Sequence, residues 1–137
     1  MTTNAVTETQ AAASAKAVAH FADRLSFETD CSDVREAMRS GNPGFVLVDV
    51  RSPKLFAEGH VPGAVNIPHS QLTVERLAKY PPETLFVVYC AGPHCNGATK
   101  GALRLARLGR PVKEMIGGIT GWEDEGYDLL DTEYVPD

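Results

Sequence analysis

Cys90 and Cys95 are the residues of this chain whose types and setting best suit chemistry. They lie in "FVVYCAGPHCNGATKGALRLARLG", residues 86–109. A short apolar run ends on Cys90, a Gly- and Pro-containing polar loop carries Cys95, and an amphipathic helical pattern begins near Ala98. A helix N-terminus presents unpaired N–H groups and the positive end of its dipole. A thiol facing that field is drawn toward its thiolate, the nucleophilic form, so Cys90 is the expected catalytic residue. The same field favours an anionic substrate. Gly92 and Gly97 allow the loop to curl until several N–H groups converge on one atom. Ala91, Gly92, His94, Cys95, Asn96, Gly97, Ala98 and Lys100 are the residues expected to hold that substrate, while Pro93 has no N–H to give.

Plainer readings stand beside these. A cysteine at a strand end is often inert packing. Cys95 reads as a loop thiol packed locally, a resolving thiol, or the nucleophile itself. His94 is either a donor to a bound anion or simply exposed. Lys100, Arg104 and Arg107 share one helix face and read as a solvated surface on which only Lys100 nears the loop. Cys31 and Trp122 read as structural. Cys90, His94 and Cys95 give C-x3-H-C with no second pair to complete a zinc set, so no metal or other cofactor is expected.

The elements that position the loop follow from hydrophobic pattern and punctuation. "FVLVDV" (45–50) and "TLFVVYC" (84–90) are continuous apolar runs, the mark of strands buried on both faces. "PVKEMIGG" (111–118) contains another strand, and Pro62–Gly63 turns into a short one over 64–67. Between them fall helical segments. One spans 11–25, with Val18, Phe21 and Leu25 on one face. A second is expected to be N-capped by Ser32, to bury Val34 and Met38, and to end at Gly41. A third is capped by Ser52 with Pro53 in its first turn. A fourth, "SQLTVERLAKY", stops at Pro81–Pro82. The helix after the loop spans 98–108, and a last one is anchored by Trp122. Strands alternating with helices imply an α/β domain around a mainly parallel sheet. Residues 1–10, small and polar, are expected to fray.

Composition bounds the rest. The chain has 137 residues, 43% hydrophobic and 23% charged, the size and make-up of one globular domain. A formal charge of -5 argues against nucleic acid or an anionic membrane as partner. Three cysteines are no disulfide framework. No run is long and apolar enough to span a bilayer, and the N-terminus lacks the pattern of a secretory signal, so a cytoplasmic location is expected.

"LVDVRSPKLFAEGHVPGAVNIP" resembles the rhodanese-like domain signature, D-V-R followed by E-x-G-H-[IV]-P-G-A-x-N-I-P. "VVYC" with its loop and helix looks like that family's active-site strand and cradle, and "MIGGITGWEDEGY" like its closing G-G-x-x-x-W segment. The resemblance covers 31 to about 128. It implies a three-layer α/β fold with helices flanking a mainly parallel central sheet, here with an N-terminal helical extension (1–25) before the domain (26–137). It also implies a sulfurtransferase in which Cys90 becomes a persulfide; a thiol-redox or persulfide-handling protein using Cys90 and Cys95, and a non-catalytic binding module of the same fold, are the alternatives. The partners would be a small anionic donor such as thiosulfate and a thiol or cyanide acceptor, with a homodimer through the N-terminal helix as a further option. Asp49, Arg51, Glu58, His60 and Gly63 match the signature as scaffold. The loop departs from the family's C-x-x-G-x-R: it is longer, it lacks the Arg, and it has Cys at 95. In related phosphatases of this fold, C-x5-R clamps phosphate; here that position is Asn96, which argues against phosphatase activity.

Overall fold

The computed structural model describes residues 4–136. Its elements are α1 (Ser14–Phe27), β1 (Glu28–Asp30), α2 (Cys31–Arg39), β2 (Val46–Asp49), α3 (Pro53–Glu58), β3 (Val65–Asn66), a 3₁₀ turn (His69–Gln71), α4 (Val74–Leu77), β4 (Phe86–Tyr89), α5 (Gly97–Arg107), β5 (Val112–Ile116) and α6 (Gly118–Asp124). The five strands form one sheet in the order β1-β5-β4-β2-β3, every pair parallel.

Strand alternation divides the core into two layers. Val48, Val50, Phe86, Val88 and Cys90 point to the face covered by α5, where Leu72, Leu77 and Leu105 pack. Leu47, Val87 and Tyr89 point to the opposite face and meet Val34, Met115 and Trp122. Phe86, Val88 and Leu105 are fully buried. Each such side chain contributes roughly 1.5–3 kcal/mol. Trp122 is a core residue, its indole N–H closed by the Asp128 carbonyl at 2.9 Å.

Several local expectations change. β1 has no counterpart in the sequence reading; it is an edge strand that exists by pairing with β5. Helix α2 starts earlier than expected. Its N-cap is Asp30 and not Ser32: Asp30 ends β1 in extended conformation, and its carboxylate accepts the Asp33 N–H at 2.9 Å. The helix expected over "SQLTVERLAKY" is a 3₁₀ turn and a short α4, separated at Leu72, with Thr73 capping α4. Helix α1 reaches Phe27 and buries none of its residues; Val18, Phe21 and Leu25 are exposed. Of the stretch expected to fray, residues 1–3 lie outside the described residues; beyond them, the Asn4 side chain accepts from the Val6 and Thr7 N–H groups to form a turn.

Candidate active site

Cys90 follows β4 directly, at the carboxyl edge of the sheet, with 6% of its surface exposed. Period-two alternation from Phe86 and Val88 sends its side chain to the α5 face. The loop then doubles back, with the Cys95 N–H donating to the Gly92 carbonyl at 3.0 Å. This brings Cys95 over Cys90. The Cα atoms are 6.4 Å apart and the two sulfurs are joined as a disulfide.

Two glycines make this arrangement fit. A Cβ on Gly97 would sit 2.8 Å from the Cys90 sulfur and 3.5 Å from that of Cys95. Gly97 therefore leaves the room both sulfurs occupy at the start of α5. Gly118 has φ +58, and a Cβ there would strike the Cys90 carbonyl oxygen and lie 2.9 Å from the Gly92 nitrogen. The start of α6 can thus press against the loop, where the Ile119 N–H donates to the Cys90 carbonyl (3.1 Å) and the Thr120 N–H to that of Ala91 (3.0 Å).

The N-terminus of α5 is open. Asn96 stands at its N-cap with no side-chain cap hydrogen bond, and the Ala98 and Thr99 N–H groups have no partner among the described residues. The Gly97 N–H points to the Cys95 sulfur at 3.5 Å. Unpaired first-turn N–H groups favour negative charge.

A buried network holds the sheet edge rigid below the loop. Asp49, fully buried, accepts from the Arg51 N–H and Nε (both 3.0 Å), from Arg51 Nη2 (2.8 Å) and from the Tyr89 hydroxyl (2.7 Å). The same Tyr89 oxygen accepts the Val61 N–H at 3.1 Å. Asn66 ties in β3 by donating to the carbonyls of Asp49 (3.0 Å) and Arg51 (2.9 Å). Burial, then the Asp49 charge, pushes the Tyr89 phenol far above its ordinary range, so it stays a donor. Burial pulls the Arg51 pKa down, but Asp49 outweighs it and the guanidinium stays charged. His60 is buried, stacked on Phe56 with its Nδ1 2.8 Å from the Phe56 carbonyl oxygen; Glu58 is exposed.

Cys90 and Cys95 separate two clefts. The larger, about 580 Å³, carries Glu28, Asp30, Glu114 and Glu125 against one cation, Arg24, which pairs with Glu28 at 3.3 Å. The other, about 360 Å³, carries Arg51, His69, Ser52 and Ser70 and no carboxylate. Of the residues expected to hold substrate, Ala91, Gly92, Cys95, Asn96, Gly97 and Ala98 line one cleft or the other. His94 and Lys100 line neither and are exposed, as are Arg104 and Arg107. Cys31, remote in sequence, lines the larger cleft. Its thiol approaches the carbonyls of Ile116 and Gly118 at 3.6 Å, and burial, with nearby Asp30 and Glu125, pushes its pKa up to about 11. The sequence reading missed the places of Arg51, His69 and Ser70 beside Cys90; only the D-V-R match hinted at the first.

A cysteine at the end of a parallel strand with a folded-back loop over it, the Asp49–Arg51 pair beneath and the Gly117–Gly118 turn against it coincide with one known pattern. The family model of the Rhodanese-like domain matches residues 30–125. The chain belongs to this family. It is 39% identical over 107 residues to the HTH-type transcriptional regulator Rv0324 of Mycobacterium tuberculosis, covering 77% of this chain and 46% of that one. This rhodanese-like chain therefore spans less than half of that regulator. It is 27% identical over 95 residues to the chloroplastic thiosulfate sulfurtransferase 16 of Arabidopsis thaliana, covering 61% of this chain and 78% of that one. Its fold matches the crystal structure of the BH2092 protein of Bacillus halodurans with a TM-score of 0.83, 38% identity and 86% of each chain covered.

Proposed function

We propose that this chain is a sulfurtransferase whose Cys90 thiolate takes a sulfane sulfur from a small anionic donor of the thiosulfate type and passes it to a thiol or to cyanide. The observation that carries this reading is the seat of Cys90, a thiol at the uncapped N-terminus of α5, in space that Gly97 leaves free. Similarity to a thiosulfate sulfurtransferase supports it.

The steps follow from that seat. A dithiol, or two equivalents of a small thiol, first reduces the Cys90–Cys95 bridge by exchange and is itself oxidised to a disulfide. The Cys90 thiolate attacks the outer sulfur of thiosulfate, the donor S–S bond breaks, and sulfite leaves with the bonding pair. The unpaired Ala98 and Thr99 N–H groups make the start of α5 favourable to negative charge on the Cys90 sulfur. The acceptor then takes the outer sulfur and Cys90 returns to thiolate. The dianion is best received from the smaller cleft, which no carboxylate lines; the carboxylates of the larger cleft repel it. Asn96 offers no bidentate clamp, so phosphomonoesters are poor ligands.

The test is thiocyanate formation from thiosulfate and cyanide by the pre-reduced chain. Wild type turns over repeatedly and Cys90→Ser does not; equal rates in the two would overturn the reading. Similarity to a transcriptional regulator favours a second reading, a module that reports sulfur or redox state through the Cys90–Cys95 pair. A wild type limited to a single turnover in the presence of excess acceptor and thiol would support it.

A further inference from the structure

We propose that Cys95 is a second catalytic residue, which attacks the Cys90 persulfide at the Cys90 sulfur, expels hydrosulfide and closes the Cys90–Cys95 bridge. The inference rests on the sulfurtransferase reading and adds an activity to it, the thiol-dependent release of sulfide.

Geometry carries it. The two Cα atoms are 6.4 Å apart. A disulfide needs about 4.4–6.8 Å, so no backbone rearrangement is required to join the pair. The Cys95 N–H bond to the Gly92 carbonyl holds the loop in the folded-back shape, and the missing side chain of Gly97 leaves both sulfurs in one space. Cys95 is only half-buried, and both clefts reach it, so the persulfide and its attacker share one solvent-open site. The Gly97 N–H, at the start of α5, points to the Cys95 sulfur at 3.5 Å. A donor at a helix N-terminus favours the thiolate that must make the attack. Cys31, the third thiol on the larger cleft, does not compete. Its sulfur is engaged with the Ile116 and Gly118 carbonyls, and burial keeps it protonated.

The step balances. The Cys95 thiol gives up its proton, and its electron pair forms the bond to the Cys90 Sγ. The bond from that Sγ to the outer sulfur breaks, and the outer sulfur leaves with the pair and a proton as hydrosulfide. The sulfane sulfur is reduced to sulfide, and the two thiols are oxidised to the disulfide. An external dithiol, or two equivalents of a small thiol, then reduces the bridge by exchange and is itself oxidised to a disulfide. An acceptor that reaches the outer sulfur first takes it by transfer, so acceptor supply sets the partition between transfer and release.

The experiment loads full-length chains that have been reduced and then freed of reductant with thiosulfate, in the absence of any thiol or cyanide. Released sulfide and intact mass are followed for wild type, Cys95→Ser and Cys95→Ala. Wild type is expected to release hydrosulfide and finish as the Cys90–Cys95 disulfide. Both variants are expected to keep the added sulfur and to release sulfide at least about tenfold more slowly, the loss that follows removal of an in-place nucleophile. Persistent persulfide in wild type, or equal release from all three, would overturn the role of Cys95. So would sulfur uptake by wild type but by neither variant, which would make Cys95 the first acceptor. Absence of uptake in every chain is a different failure, that of the sulfurtransferase reading itself, and it takes the inference with it.

Discussion

Cys90 and Cys95 are bonded across a loop whose ends the Gly92 carbonyl and the Cys95 N–H hold together at 3.0 Å. The thiol best placed for attack is therefore covered by its neighbour until a reductant frees it.

That relationship predicts how activity depends on thiols. Wild type prepared without reductant starts with a lag or at a fraction of its full rate in the thiosulfate–cyanide assay, and prior treatment with a dithiol removes the deficit. Cys95→Ser, which cannot form the bridge, shows the same initial rate with and without the treatment. Equal responses in both chains would mean that the bridge does not block Cys90.

Gly97→Ala tests the cradle. The new methyl group would sit 2.8 Å from the Cys90 sulfur, although alanine suits a helix better than glycine by about 1 kcal/mol. The variant is expected to keep its helical circular dichroism and melting cooperativity while losing sulfur transfer about tenfold or more, on the scale of small misplacements at a reacting centre. Unchanged transfer with unchanged fold would show that the sulfurs have slack at this point.

Tyr89→Phe tests the network under the loop. Removing the hydroxyl strips one donor from buried Asp49 and leaves the Val61 N–H without its acceptor. Loss of such a buried partner costs about 1–3 kcal/mol, readable as a shift in the urea midpoint with little change in slope. A midpoint equal to wild type would place that network outside the stability of the sheet edge.

Cys31 predicts an alkaline loss of stability. Its pKa rises on folding from 9.0 to about 11, so in that interval the unfolded chain binds fewer protons than the folded one. Stability then falls as pH rises. The contribution is fully present below pH 9 and is lost as pH rises through about 11. Tyr89, raised from 10.0, adds a fall of the same sign. Cys31→Ala should flatten the decline between pH 9 and 10, where Tyr89 adds little; an identical profile would remove Cys31 as its source.

What was legible in the sequence was whatever the chain states locally. The buried strand β4 shows as an unbroken apolar run, and β2 as one interrupted only by Asp49, because both of their faces are covered; the end of β4 places Cys90. Ser52 and Pro53 announce α3, and the Ser52 hydroxyl accepts the Leu55 N–H at 3.3 Å. β1 left no trace, since Glu28–Asp30 has no apolar pattern and owes its conformation to the neighbouring β5. Asp30 and Ser32 are both good caps, and only the end of β1 decides between them. The partners around Cys90 were least legible. Arg51 and His69 reach its cleft from the ends of β2 and β3, and Gly118 from the start of α6, so the parallel crossovers bring them together from distant parts of the chain. The spacing of Cys90 and Cys95 alone left open whether they meet.

The most direct measurement is the location of the added sulfur. Pre-reduced Cys95→Ser, in which a persulfide should persist, is treated with thiosulfate, its free and sulfurated thiols are alkylated, and its peptides are mapped by mass spectrometry. The account predicts one extra sulfur on the peptide containing Cys90 and none on that containing Cys31. Extra sulfur on Cys31, or a chain that gains none, would contradict it.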